Sequence, residues 1–314
     1  MSFLSGFGRQ SGAGLVALRT EVDKVRYVHG DAAGPGKPIV LSFGEAEWRG
    51  DASSLARAYS EFGLGKKIRR ATLLMAGDYQ ISAVEAPNVP EAEMKTAMRW
   101  RMKDVIDYPV EQAIYDLLEI PAGDGPAGRS RSVYVVAARN ELVKTYVERF
   151  DDAKVPLSVI DIPETSQRNV AARYERDERG VGLLYFDDAG GLLTVTSGAE
   201  LYLARRFDFT MTQIRQGNDA YREDLYSRIL LELQRTLDNF ERQHSQIALS
   251  RIMLGPEPEP TPLVAYLQTN LGVEVAGVVL EDVLDFRGGV PDAQVQWRYF
   301  HLIGCAIRSD GKSQ

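Results

Sequence analysis

Cysteine, histidine, basic charge and long apolar runs are all scarce in this sequence, and each scarcity excludes something. A single cysteine, Cys305, stands among 314 residues. No intramolecular disulfide can form, packing alone must hold the fold, and a reducing compartment is expected. The three histidines, His29, His244 and His301, lie far apart with no cysteine or second histidine nearby, so no metal site is expected and they read as ordinary polar histidines. Apolar runs stop well short of the roughly 18 residues of a membrane span. The opening stretch "MSFLSGFGRQSG" is too short and too rich in glycine and serine for a signal peptide. A soluble, cytoplasmic protein is the expectation. Lys and Arg number 37 against 44 Asp and Glu, for a net charge of -7 and a pI near 5.2. That balance argues against a nucleic-acid binder, which needs a basic face to displace counterions.

What is present is enough apolar material, 44% of the residues, for one large core or two ordinary ones. Loop punctuation falls at 30–38, 121–132, 174–180 and 255–262. "GLVALRTEVDKVRYVHG" reads as a β-hairpin and "IVLSF" as a further strand. A helix over 53–62 precedes the strands "RATLLMA" and "QISAVEA", and another opens at Pro90. "QAIYDLLEI", "SVYVVAA" and "PLSVIDI" are strands, with helices near 140–152 and 163–174. After the charged "ERDERG" the pattern restarts: "VGLLYF", "LLTVTSG" and "ELYLARRFDF" are three consecutive strands with tight turns. A long helix over 219–244 carries Tyr226, Leu230, Leu233, Leu237 and Phe240 at spacings of three and four, which gives one apolar stripe. "LSRIMLG" is a strand, 263–271 a helix, and 297–307 a terminal helix. Two halves with the same order of elements imply an α/β protein built by duplication, with lobes at 1–178 and 179–314.

Several chemical signals compete with plain structural readings. "GDAAGPGK" imitates a Walker loop but has Asp31 where the first glycine belongs, Pro38 after Lys37, and a strand next instead of a helix. Cys305, between Gly304 and Ala306, reads as a buried packing residue. Arg205 and Arg206 are a strand-end pair that could meet an acidic ligand. Met94, Met98 and Met102 share one helix face with Ala97 and Val105; the stripe is either core or an adaptable groove for a partner peptide.

Three stretches carry a family resemblance. "NVPEAEMKTAMRWRMKDVIDYPVEQAIYDLLEI", "VYVVAARNELVKTYVERFDDAKVPLSVIDIPE" and "IGCAIR" resemble, in order and spacing, segments of type IV pilus platform proteins of the PilM and MshI (MSHA pilus) kind. The resemblance implies a duplicated actin-like (ribonuclease H-like) two-lobed α/β fold, with a small subdomain inserted at about 77–138. It also implies a cytoplasmic scaffold, peripheral to the inner membrane, that holds the N-terminal tail of a PilN-like single-span partner. That tail lies against the small subdomain, to which the Met94, Met98, Met102 helix belongs. An assembly ATPase or other platform components are further implied partners. The related type II secretion protein L carries a membrane span and a further domain after its actin-like part; the chain's end without either favours the soluble branch.

Actin-like folds hold ATP on glycine-containing hairpin turns whose N–H groups grip the phosphates while an aspartate positions the metal's waters. Asp188, Gly190 and Gly191 in "FDDAGGLL" have that order, and would hold the cofactor if one binds. In the first half Leu18, Arg19 and Thr20 stand in place of Asp-x-Gly. The late glycine-rich loop is replaced by "PEPEPTP", in which Pro256, Pro258, Pro260 and Pro262 lack N–H donors and Glu257 and Glu259 would repel polyphosphate. Thr261 and Pro262 read as the cap and first residue of the next helix. The expectation is a degenerate site without catalysis or cofactor. Mg-ATP binding that regulates docking is the alternative.

Overall fold

β1 (Leu15–Thr20), β2 (Lys24–Asp31) and β3 (Ile39–Glu47), the first two with unbroken buried runs, form an antiparallel meander, as read from the sequence. The structure is a computed structural model that describes residues 14–65, 67–121 and 131–309. The expected loop at 121–132 lies outside the described residues except for its ends, as does the stretch 1–12. After the meander comes α1 (Ala52–Glu61), started by Asp51, whose Oδ1 accepts the Ser54 N–H at 2.8 Å. Then β4 (Arg69–Leu73) returns parallel to β1.

The chain next makes a separate sheet from β5 (Tyr79–Glu85), β6 (Ala113–Ile120) and β7 (Ser132–Arg139), in the order β5-β7-β6, with α2 (Glu91–Arg101) between β5 and β6. The central strand β7 is apolar on both faces, because both are covered. Val136 and Ala138 pack with Val143 of α3 (Asn140–Asp152), while Val133, Val135 and Ala137 pack beneath α2. β8 (Val159–Asp161) then rejoins the first sheet parallel to β4. Leu18, Val25 and Tyr27 of the meander pack on Leu55 and Tyr59 of α1 and on Phe150 of α3.

The order repeats after α4 (Pro163–Ala171). β9 (Gly180–Asp187), β10 (Gly190–Ser197) and β11 (Glu200–Phe207) form a second antiparallel meander. α5 (Met211–Arg215) and α6 (Asp219–Gln243) follow; β12 (Leu249–Leu254) runs parallel to β9, α7 (Leu263–Asn270) crosses over, and β13 (Glu274–Gly277) runs parallel to β12. The spatial orders β3-β2-β1-β4-β8 and β11-β10-β9-β12-β13 are the same third-second-first-fourth-fifth arrangement. The duplication read from the pattern is therefore a duplication of topology.

Contacts divide the chain into two units, one running to Pro163 and resuming at Cys305, the other Glu164–Gly304. The charged stretch at 174–180 lies inside the second unit, where Arg176 and Arg179 form a bridge that leads into β9. In that unit the sheet is covered on both faces, which is why its strands read as unbroken apolar runs. Leu184, Phe186 and Leu193 pack with Leu225, Ile229 and Leu233 of α6. On the other face Tyr185 stacks on Phe300 of α8 (Ala293–Ala306) with centroids 4.7 Å apart, and its hydroxyl donates to the Trp297 carbonyl at 2.7 Å. α4 and α8 approach so closely that a Cβ on Gly304 would lie 2.2 Å from the Ser166 carbonyl oxygen.

Candidate functional site

The turn between β9 and β10 uses every one of its distinctive residues internally. Asp187 Oδ1 accepts the Ala189 N–H at 2.8 Å, so the aspartate closes its own turn. Asp188 Oδ1 accepts the Thr212 hydroxyl of α5 at 2.8 Å. Gly190 has φ +138, and a Cβ there would lie 2.6 Å from the Phe207 carbonyl oxygen of β11. A Cβ on Gly191 would lie 2.6 Å from the Phe186 ring. Backbone geometry calls for glycine at 190, and the Phe186 ring crowds position 191.

In the first unit the hairpin forms where expected, but its turn is not at Leu18 to Thr20. Those residues belong to β1, Leu18 is fully buried, and the turn is Glu21, Val22 and Asp23. The correction has a physical cause: the turn contains no glycine and is set by charge. Glu21 N–H donates to the Lys24 carbonyl at 2.7 Å, and the Glu21 carboxylate pairs with Arg19 at 2.8 Å and with Arg26. Arg26 and Lys24 also hold Glu45, at 2.9 and 2.6 Å. The Lys24 hydrogen bond and the Arg26 guanidinium keep the Glu45 carboxyl below its ordinary range, against the opposing effect of burial. Val22 projects at the tip, 96% exposed. This turn presents carboxylates and a valine and no glycine.

The loop after β12 is closed by its own acid. Gly255 N–H donates to the Leu184 carbonyl at 2.8 Å, and Glu257 accepts from both the Thr261 N–H, at 2.9 Å, and its hydroxyl, at 2.7 Å. Burial pushes the Glu257 carboxyl up; the two Thr261 bonds lower it in part. The helix, α7, starts at Leu263, as read, but with Pro262 rather than Thr261 as its cap; the Thr261 hydroxyl accepts the Leu263 N–H at 3.3 Å. Beside this loop lies a cavity of about 440 Å³ lined by Thr212, Arg215, Arg222 and Glu259, across which Arg215 and Glu259 pair at 2.9 Å. Its two arginines are engaged, Arg222 with Asp219. The residues of these three loops do not fit a polyphosphate cradle.

The remaining candidates fall into structural places. Met94, Met98 and Met102 face inward against Val133, Val135 and Ala137, and all three are buried. In this arrangement they offer core rather than groove surface. Arg205 pairs with Glu232 at 2.8 Å, and Arg206 Nε and Nη2 donate to Glu164 Oε1 at 3.1 and 2.8 Å. Cys305 is buried, and burial, with Asp161 nearby, raises its thiol well above its ordinary value, which makes it a poor nucleophile. "GDAAGPGK" links two antiparallel strands, β2 and β3. His244 packs edge-on against Tyr202, and His301 Nε2 lies 3.3 Å from Gln167 Oε1. No cluster of three potential metal ligands occurs among the described residues.

Two features escaped the sequence reading. α4 is polar yet buried: Glu164, Ser166 and Gln167 are fully covered, and Gln167 Nε2 reaches the Leu183 carbonyl, the Leu192 carbonyl and the Thr194 hydroxyl at 2.6, 3.0 and 3.1 Å. "PETSQ" reads as an ordinary solvated helix start, so nothing in it signals burial. Trp100, in contrast, is 72% exposed, and its position two residues from Met98 on a helix was the available signal.

No protein-family model and no curated protein matches the sequence. Among solved structures, the chain is similar to one solved as the PilM-PilN type IV pilus biogenesis complex, with a TM-score of 0.69, 19% identity, and 95% of this chain and 99% of that one covered. Weaker likenesses are to the cytoplasmic domain of EpsL, an inner membrane component of the type II secretion system of Vibrio cholerae (TM-score 0.47, 11% identity, covering 92% and 95%), and to a Bacteroides thetaiotaomicron protein with actin-like ATPase fold and unknown function (0.45, 11%, 88% and 93%). With the twice-repeated strand order, the fold is the duplicated actin-like α/β fold.

Proposed function

We propose that this chain is a scaffold of type IV pilus assembly, of the PilM and MshI kind, that holds the N-terminal tail of a PilN-like bitopic inner-membrane protein from the cytoplasmic side without turning over nucleotide. The observation that carries the reading is a likeness spanning 95% of this chain and 99% of one solved as a PilM-PilN complex. Its non-catalytic half is supported by the loops: Glu21 and Glu45 dominate the first hairpin, Asp187 and Asp188 are bonded within their own unit, and Glu257 closes the proline loop. No helix among the described residues is long and apolar enough to cross a membrane, so attachment through the partner is part of the proposal.

Two measurements test it together. An immobilised PilN-like tail peptide is expected to retain the protein, and Mg-ATP is expected to leave both that binding and the melting temperature unchanged. Ligand at a hundred times its dissociation constant would add about 2.7 kcal/mol of stability, which a melt readily detects. A protein that ignores every such tail loses the docking role. An ATP-dependent rise in melting temperature that vanishes in Asp188→Ala would establish the alternative, in which nucleotide tunes the docking.

A further inference from the structure

The inner face of α2 is core, so its outer face is what the helix presents. At about 100° per residue, Trp100 is turned about 200° from Met98 and stands away from the sheet. It is 72% exposed, the largest apolar side chain so placed among the described residues. A single exposed apolar side chain is ordinary on a protein surface; what sets this one apart is the charge around it. Around it, the five residues from Arg99 to Lys103 carry three cations and no acid, on a chain whose net charge is -7. Lys103 Nζ lies 5.0 Å from the Trp100 ring centroid. Arg101 is anchored by a 2.7 Å bond to the Glu85 carbonyl. Lys95, farther back, is engaged by Asp116 at 3.4 Å. The nearest acids along this stretch are Glu93 and Asp104.

An amphipathic ring flanked by cations matches one kind of surface. Indole settles at the boundary between lipid headgroups and acyl chains, while Lys and Arg are drawn to anionic headgroups. The rest of the chain's negative charge does not prevent this contact, since screening confines it to about 8 Å at physiological salt. A helix face turned outward also suits a planar, disordered acceptor, which needs no matching cleft. We infer that the outer face of α2, with the 3-10 turn Met102–Asp104 that follows it, rests on an anionic phospholipid bilayer, with Trp100 in the interface and Arg99, Arg101 and Lys103 on the headgroups. This contact does not rest on the pilus reading; it would orient the chain on the membrane with or without the partner.

The test is flotation of the whole protein with vesicles of phosphatidylcholine alone or mixed with phosphatidylglycerol, together with tryptophan emission. Binding only to the mixed vesicles, a blue shift on binding, and loss of both in high salt are expected. Trp100→Ala should abolish the blue shift, because Trp48 is buried and Trp297 is half-buried in the free protein. Arg99→Gln and Lys103→Gln should each lower the partition about fivefold, and Asp104→Asn should raise it by a similar factor. All four positions are exposed, so melting should stay at the wild-type temperature. Absence of binding to the mixed vesicles overturns the inference. So does equal partition of wild type, Trp100→Ala and the Gln variants. If Trp100→Ala instead abolishes capture by a partner tail while vesicle partition is unchanged, this face is a protein-docking surface and the membrane assignment is wrong.

Discussion

Replacing Gly190 by alanine separates a structural turn from a phosphate loop. The backbone there has φ +138, where a side chain costs about 1–3 kcal/mol. The new Cβ would also lie 2.6 Å from the Phe207 carbonyl oxygen. That oxygen belongs to the main chain of β11 and cannot rotate away, so β10 and β11 must separate locally, at about 1–3 kcal/mol. Together these predict a loss of about 3 kcal/mol. For a unit of this size each kcal/mol corresponds to roughly 2–4 °C, so the melting temperature should fall by about 6–12 °C. Asp188→Ala removes only one exposed hydrogen bond to Thr212 and should cost about 1 kcal/mol. The assay is a melt of wild type and both variants with and without Mg-ATP. A phosphate loop predicts a different pattern: an ATP-dependent rise in wild type, lost in both variants, with little change in their unliganded melting. A Gly190→Ala protein that melts at the wild-type temperature would refute the steric reasoning outright.

Met98→Asp should cost about 3–5 kcal/mol, as a carboxylate with no partner is placed between α2 and β7, and should shift the urea midpoint accordingly; a midpoint unchanged from wild type would put Met98 outside the core. For Glu257, burial raises the folded pKa above the ordinary 4.5, so the native state holds its proton more tightly than the unfolded chain does. The stability it contributes is full below pH 4.5 and is lost as pH rises through the raised value. Wild type should therefore lose stability relative to Glu257→Gln as pH rises over that window, and a pH-independent difference would contradict the burial.

The sequence made the sheets legible because buried strands leave a strong signal. "VGLLYF" and "SVYVVAA" can hardly be anything else, and the restart of the three-strand pattern at Val181 disclosed the duplication. Boundaries that rest on small structures were not legible. α5 was missed: at five residues it has no period to detect, and a capping box between Thr210 and Gln213 holds it. β13 has four residues, of which Val275 alone is fully buried. The turn at Glu21 was misplaced because no glycine or proline marks it; its geometry depends on ion pairs with Arg19 and Arg26 that only the fold assembles. At the candidate site the chemistry of the loops could be judged residue by residue, yet the partners that neutralise them, Thr212 for Asp188 and Thr261 for Glu257, lie on other turns of the chain or across a proline run.

Those partners bear on what the fold is for. A phosphate-binding loop holds its ligand with backbone N–H groups that are left unbonded and point toward it. Here the N–H groups of Glu21, Ala189, Gly255 and Thr261 are each bonded within the protein, to Lys24, Asp187, Leu184 and Glu257. Glu21, Asp187 and Glu257 put a carboxylate into each of these three loops. The helix over the three-stranded sheet, α2, has an exposed outer side. With the turn that follows, that outside carries one tryptophan among three cations, the face we assign to the bilayer.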